Sequence, residues 1–139
     1  MYFLRTIAAA SIATALFAAP ALAENILTGT EAHQRLAGQT FDFNCVDGTR
    51  GEATYGKSGV ATARYRLATA SDDAALQKDQ GHVRANGENV CIRWTTLNGG
   101  EEGCYRMTER KPGQYRIAEG RIRWCDLSSR FMGARADTN

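Results

Sequence analysis

Arginine alternates with apolar residues in four short segments of this sequence. The segments are CIRW at 91–94, CYRM at 104–107, YRI at 115–117 and RIRWC at 121–125. A repeat of two residues is typical of β-strands, so the arginines are predicted to lie opposite the apolar residues on four successive strands. The arginines of this predicted row are Arg93, Arg106, Arg116 and Arg123.

Such a row could bind an anion. Guanidinium groups hold carboxylates and phosphates in a forked geometry. Cations about 5 Å apart on neighbouring strands repel one another unless acids or a ligand intervene, and few acids are expected on the arginine face. The pattern therefore predicts either a site for an anionic ligand or envelope partner, or an ordinary solvated outer surface.

Residue types that carry catalysis occur in no recognised pattern. The two histidines, His33 and His82, belong to neither a metal-binding motif nor a nucleophile motif. The adjacent acids at 72–73 and at 101–102 are expected to be solvated in loops rather than paired for glycoside hydrolysis. We therefore predict a non-enzymatic protein without cofactor or metal, with a small hydrolase as an alternative.

Four cysteines predict two disulfides, because an even number of cysteines in a small exported domain usually pairs. The nearest two are thirteen residues apart, which does not fit the close spacing of a metal site. Of three possible pairings, Cys91–Cys104 is favoured since it joins adjacent strands across one turn. Elimination then gives Cys45–Cys125, which joins the first and last strands. The two residues are expected on opposite faces, so this second bond needs a bulge.

The first 23 residues predict export. Arg5 is the only charge before an apolar run that ends at Ala21-Leu22-Ala23, the order of a secretory signal peptide cut after Ala23. The run is shorter than the ~20 residues that span a bilayer as a membrane anchor. We expect a periplasmic or secreted monomer with no transmembrane segment after cleavage.

Size and charge restrict what the exported part can be. Cleavage of the 139-residue chain after Ala23 leaves 116 residues, enough for one domain. The chain has 17 basic and 15 acidic residues, and only Arg5 is removed, so the net charge falls to +1. This balance argues against nucleic-acid binding, which needs a dominant basic surface.

The pattern after residue 23 indicates one short helix and then strands. Thr28 and Glu31 are spaced as a capping box and Gly38 supplies a stop, so a helix is expected to cover one end of the domain. From Gln39 onward the apolar repeat is two residues. Eight strands are predicted, at 40–46, 49–55, 60–67, 81–85, 88–96, 104–109, 114–119 and 121–126, and a loosely ordered tail at 128–139.

The short connections predict a closed sheet. They make successive strands antiparallel neighbours, and eight strands are enough to form a barrel filled with side chains. The predicted fold class is all-β and mainly antiparallel, an eight-strand up-and-down barrel or curled meander with one short N-terminal helix, over 24–127. A two-sheet sandwich is the alternative. The longest loop, 68–80, is either a functional rim or a tolerated insertion.

Aromatic side chains follow the same alternation and are predicted on the apolar face. They form either a packed core or the lining of a pocket, as in barrels that carry ligands. These residues are Phe41, Phe43, Tyr55, Tyr65, Trp94, Tyr105, Tyr115 and Trp124.

The order of these landmarks resembles a family of small secreted proteobacterial proteins of unknown function. The matching stretches are LAGQTF, DGTRGEATY, GHVRANGENVCIRW and GCYRM, and the resemblance runs from about Leu27 to Cys125. Where such proteins often have tryptophan, this chain has Val83. The resemblance implies a periplasmic β-rich domain and supplies no catalytic residues.

A more distant likeness is to periplasmic lysozyme inhibitors with an eight-strand barrel, which also carry F-x-C-x-D-G near the start. Their loop from serine-glycine to tyrosine is not matched, because Ser58 and Gly59 stand too far from Tyr65. An arginine face would also repel lysozyme, a basic protein. The leading interpretation is thus an exported binding or envelope-interaction protein, with inhibition of a hydrolase as the alternative.

Overall fold

A computed structural model describes Glu24–Arg130. The predicted signal peptide at 1–23, and residues 131–139 of the predicted tail, lie outside the described residues. The described part contains one α-helix, nine strands and one 3₁₀ turn, at Leu97–Gly100. In chain order they are β1 (Asn25–Ile26), α1 (Gly29–Leu36), β2 (Gln39–Cys45), β3 (Arg50–Tyr55), β4 (Val60–Arg66), β5 (Gln77–Asn86), β6 (Asn89–Trp94), β7 (Glu102–Lys111), β8 (Gln114–Glu119) and β9 (Arg123–Ser129). Within Glu24–Arg130, no helix is long and apolar enough to cross a membrane.

The strands β2 to β9 form a closed eight-strand barrel. Each strand pairs antiparallel with the next along the chain, and β9 pairs back onto β2. The up-and-down barrel predicted from the short connections is therefore confirmed, and the sandwich is not formed. Closure removes the unpaired edges that an open sheet of this size would expose.

The N-terminal segment adds a short strand to β7 and then closes one end of the barrel. Strand β1 extends the ladder of β7 beyond the last β6 partner, with Ile26 opposite Thr108. Helix α1 then packs mainly against β5 and β6, and the Gly29 N–H donates to Gly87 O in their connecting turn. The capping box at its start is formed as predicted.

Burial alternates along the strands and separates an inner from an outer face. Seven of the eight aromatic residues predicted on the apolar face lie inside, and Phe41 packs edge-on against the rings of Tyr55 and Tyr115. Trp124 is the exception. It is paired with Ala118 on the outer face, and the guanidinium of Arg116 lies 3.8 Å from its ring centroid.

Three strands, β5, β7 and β9, are longer than their patterns predicted. β5 begins at Gln77, inside the expected 68–80 loop, because its inward positions are Asp79 and Gly81 and offer no apolar signal. β9 continues through Ser129, beyond the expected boundary at 127, and Arg130 then forms an ion pair with Asp42 at 3.0 Å.

Both predicted disulfides are formed. Cys91 and Cys104 are directly opposite each other on the outer face of β6 and β7. Cys45 and Cys125 are directly opposite on β2 and β9, where the barrel closes. No bulge is needed, because the prediction assigned β9 the wrong face: Cys125 and Leu127 both point inward.

The closing disulfide should contribute more stability than the outer one. It spans 80 residues of sequence against 13. Loop-closure entropy therefore predicts about 4.5 kcal/mol for Cys45–Cys125 and about 3 kcal/mol for Cys91–Cys104. Replacing each pair with alanine and measuring denaturant unfolding should show the larger loss for the closing pair. Equal losses would mean that β2 and β9 stay together in the unfolded chain without the bond.

Candidate functional site

Three arginines of the predicted row lie on the outer face, and each is next to an acid. Arg106 forms an ion pair with Glu88. Arg116 binds Asp126 with two hydrogen bonds, of 2.7 and 2.8 Å, and this contact keeps the pKa of Asp126 below its usual range. The expectation that few acids share this face is wrong.

Arg93 also lies next to an acid. Its partner across the β6–β7 ladder is Glu102, whose carboxylate already accepts two hydrogen bonds from Arg84. The hydrogen bond from Arg84 is the main reason that the pKa of Glu102 is lowered, and Arg93 adds to the effect. The outer face thus carries alternating charges, which compensate one another and leave little net field for an anion.

Arg123 does not belong to this row. It lies opposite Glu119, on the same face of β8 and β9 as Ile117 and Leu127, so it points to the inside of the barrel. At this position it lines the open end, which we call the mouth: the barrel end opposite α1, where β9 begins. The predicted four-arginine site is therefore divided between two surfaces.

A cavity of about 280 Å³ extends from the mouth into the barrel. Its walls are mostly apolar, and two of its rim residues, Val46 and Ile122, are 49% and 80% exposed. It is lined by Phe43, Cys45, Val46, Asp47, Thr49, Ala53, Tyr55, Ile92, Trp94, Leu97, Asn98, Tyr105, Ile117, Ile122, Arg123, Trp124, Cys125 and Leu127. The sequence predicted either a packed core or a lined pocket. The barrel has both, because side chains fill its interior near α1 and the pocket lies near the mouth.

Two inward glycines make room for the aromatic wall. A Cβ at Gly81 would come within 2.8 Å of the Trp94 ring, and one at Gly103 within 2.2 Å of the Tyr105 hydroxyl. Each glycine therefore lets an aromatic side chain lie flat over neighbouring backbone. The sequence signal is a glycine at an inward position within a strand, close to an aromatic residue on the same face.

Two tyrosines give the cavity polar groups that stay protonated. Burial raises the pKa of the Tyr55 hydroxyl far above its usual value, and the neighbouring Tyr105 raises it further. Burial also raises the pKa of Tyr105, although Arg123 opposes this rise. Both phenols are therefore neutral at physiological pH and are suited to hydrogen bonding rather than to proton transfer.

Asp79 holds one side of the mouth in place. This inward carboxylate is only 8% exposed and accepts backbone hydrogen bonds from Gln80, Thr96 and Leu97. Those bonds position the turn that carries Leu97 and Asn98 into the cavity wall. Sequence reasoning missed Asp79 because its segment was assigned to a loop.

The other candidates of the sequence analysis lie outside the cavity lining. His33 is on α1 at the closed end, and His82 is exposed on the outer face of β5. Asp73 is exposed in the 67–76 loop, which Arg50 ties to the side of the barrel through the carbonyls of Leu67 and Ala70. Within Glu24–Arg130, this loop contributes no residue to the cavity wall.

One group of side chains has the spacing of metal ligands but not their chemistry. The sulfurs of Cys91 and Cys104 lie near the Glu102 carboxylate. Both sulfurs are used in the disulfide, whereas cysteine binds metals as a free thiolate.

No family model, curated protein or solved structure matches this chain. The resemblances drawn from its motifs therefore remain predictions, and the cavity has to be interpreted from its own residues.

Replacing Asp79 with asparagine should destabilise the protein in a pH-dependent way. Burial alone would raise the pKa of Asp79, but its backbone hydrogen bonds outweigh burial and lower it. A carboxylate whose pKa is lower when folded stabilises the fold above its unfolded pKa, about 4, and loses this contribution as the pH falls through the folded pKa. At neutral pH we expect Asp79→Asn to lose about 2 kcal/mol of unfolding free energy.

Denaturant unfolding of both proteins between neutral pH and about pH 2 checks this prediction. The difference between wild type and Asp79→Asn should shrink as the acid range is entered. A difference that stays constant at every pH would show that Asp79 contributes by its shape and not by its charge.

Proposed function

We propose that this protein is a non-enzymatic binding protein that takes a small, largely apolar molecule into the cavity at the barrel mouth. The observation that carries the proposal is the asymmetry of the barrel. Helix α1 and the side chains beneath it fill one end, whereas the other end keeps an apolar cavity open to solvent. Ligand sites in proteins are usually preformed concave pockets of this composition.

The dimensions of the cavity limit the ligand. Its volume of about 280 Å³ is close to the lower end of the range of roughly 300–1,000 Å³ found for small-molecule sites. A compact ligand with up to three rings, or a short branched chain, suits such a space better than a long acyl chain. The Tyr55 and Tyr105 hydroxyls offer it hydrogen bonds within an otherwise apolar wall.

Binding is favoured over catalysis by where the reactive residue types lie. Turnover needs a base or nucleophile close to the bound substrate. Both histidines and the acids at 72–73 stand away from the cavity, and the cavity cysteines are bonded to each other. The one carboxylate among the described residues that line the cavity, Asp47, accepts the Thr49 backbone N–H in the β2–β3 turn. A screen against ester, glycoside and peptidoglycan substrates is expected to give background rates.

We also propose that the protein works outside the cytoplasm, in the periplasm or beyond. Two disulfides in so small a barrel support this location, because such bonds persist in oxidising compartments. The signal-peptide pattern of residues 1–23 supports it as well.

Filling the cavity should weaken binding of an uncharged apolar probe. Phenylnaphthylamine fluoresces when it leaves water, so its titration reports occupancy of the cavity. Ala53→Leu adds three carbons to the cavity wall, and an overpacking cost of about 1–3 kcal/mol predicts a roughly fivefold to 150-fold loss of affinity. Ala118→Leu adds the same atoms on the outer face of β8 and should change affinity less than about twofold.

Ile117→Phe, which fills the same cavity from β8, guards against a folding defect in Ala53→Leu. Circular dichroism should show that the variants keep the wild-type fold. The proposal is wrong if the folded cavity variants bind the probe as wild type does. It is equally wrong if only Ala118→Leu loses binding, since the probe would then occupy the outer surface.

A further inference from the structure

We infer that the ligand carries a negatively charged group and that Arg123 binds this group at the mouth. This inference rests on the proposed function and adds the chemical class of the ligand, a small amphipathic anion. The apolar part would occupy the cavity, and the carboxylate, sulfonate or phosphate group would remain at the rim. The inference gives to Arg123 alone the anion-binding role that the sequence pattern predicted for four arginines.

The position of Arg123 is the first argument. It lines the cavity at the rim, together with Tyr105 and the exposed apolar residue Ile122. Its side chain is 53% exposed, so the guanidinium can be reached from solvent and from the cavity. A ligand whose apolar part packs against Tyr105 would bring its polar end to this cation.

The spare hydrogen-bonding capacity of Arg123 is the second argument. Among the described residues its hydrogen bond is from Nη2 to Asn98 Oδ1, and the Glu119 carboxylate is 3.8 Å from Nη1, beyond direct hydrogen bonding. A guanidinium has five N–H donors. Arg116, in contrast, uses Nε and Nη2 on Asp126 and stacks on Trp124.

Two acids near the mouth set the electrostatic repulsion and competition that a bound anion must overcome. Asp47 lines the cavity, but its Oδ1 accepts the Thr49 backbone N–H and stabilises the β2–β3 turn. Glu119 is the nearest acid to Arg123 and partly neutralises it. A bound anion therefore competes with Glu119 for Arg123, which makes Glu119 a second, opposite test of the inference.

Two probes with the same apolar body separate the charge from the cavity. Anilinonaphthalene sulfonate has the ring system of phenylnaphthylamine plus one sulfonate. Arg123→Gln should weaken the sulfonate probe about fivefold, the scale of a partly exposed ion pair, and leave the uncharged probe unchanged. Glu119→Gln should strengthen the sulfonate probe about twofold to fivefold. Both effects should shrink with added salt, which screens exposed charges.

Arg121→Gln is the matched control, because it removes the same charge from an exposed position of the same β8–β9 turn. It should leave both probes unchanged. Arg123→Lys keeps the charge without the forked donors and should lose less affinity than Arg123→Gln. Arg123 is half exposed, so we expect these variants to fold, and circular dichroism checks this.

The outcomes distinguish the inference from the function on which it rests. If Arg123→Gln weakens both probes equally, Arg123 is only part of the cavity wall and the anionic class is wrong. If Arg121→Gln weakens the sulfonate probe as much, the effect is one of general charge, and the inference fails as well. If Ala53→Leu spares both probes, the cavity itself is not the site and the proposed function fails first.

Discussion

Hydrogen bonding between β2 and β9 closes the barrel, and the face of every residue on β9 depends on its register. Phe43 lies opposite Leu127, and Cys45 lies opposite Cys125. A slip of one residue would turn Trp124 and Asp126 to the inside. It would also bury a carboxylate without Arg116, its partner on the outer face, and burying an unpaired charge is costly. The closing ladder therefore fixes the disulfide, the outer ion pair and the inward position of Arg123 together.

The closed barrel is asymmetric because its inner side chains differ in size along the axis. Near α1 the interior holds Phe41, Met107, Tyr115 and Leu36, which are buried almost completely. Small eight-strand barrels are usually filled in this way. Toward the mouth, the rings of Trp94 and Tyr105 lie flat over Gly81 and Gly103. Because these large side chains stay against the wall, the space in front of them remains open as the cavity.

Most of the framework could be predicted from local patterns. Alternation, the turn dipeptides and short connections were enough for eight antiparallel strands, the helix and both disulfides, since each depends on residues close in sequence or on simple elimination. The face of β9 could not be obtained in this way. Its segment alternates arginine with apolar residues, and either set could face inward until Leu127 is paired with Phe43.

The cavity was equally hidden, because it arises from what is absent. In a sequence, a glycine at an inward position only suggests a weaker strand. Its role in making room for a ring is visible once the structure places Trp94 over Gly81. Asp79 was hidden for another reason. Its charge suggested a loop, whereas the backbone N–H groups that satisfy it belong to residues 96 and 97, distant in sequence. The cavity and the role of Asp79 both depend on pairing between residues that are far apart in the sequence.

Two arginines on adjacent strands show why residue type alone does not define a site. Arg116 lies between a carboxylate and an indole ring, and its charge is compensated where it stands. Arg123 occupies the rim of an apolar cavity, with an amide oxygen as its hydrogen-bond partner and its nearest carboxylate at 3.8 Å.

An anion at Arg116 would have to displace a bidentate partner, whereas an anion at Arg123 meets unused donors. The apolar wall next to Arg123 would also hold the apolar part of such a ligand beside this half-exposed cation. The capacity of an arginine in this barrel to bind an anion therefore depends on the surroundings that closure gives it, and not on the number of arginines on the strands.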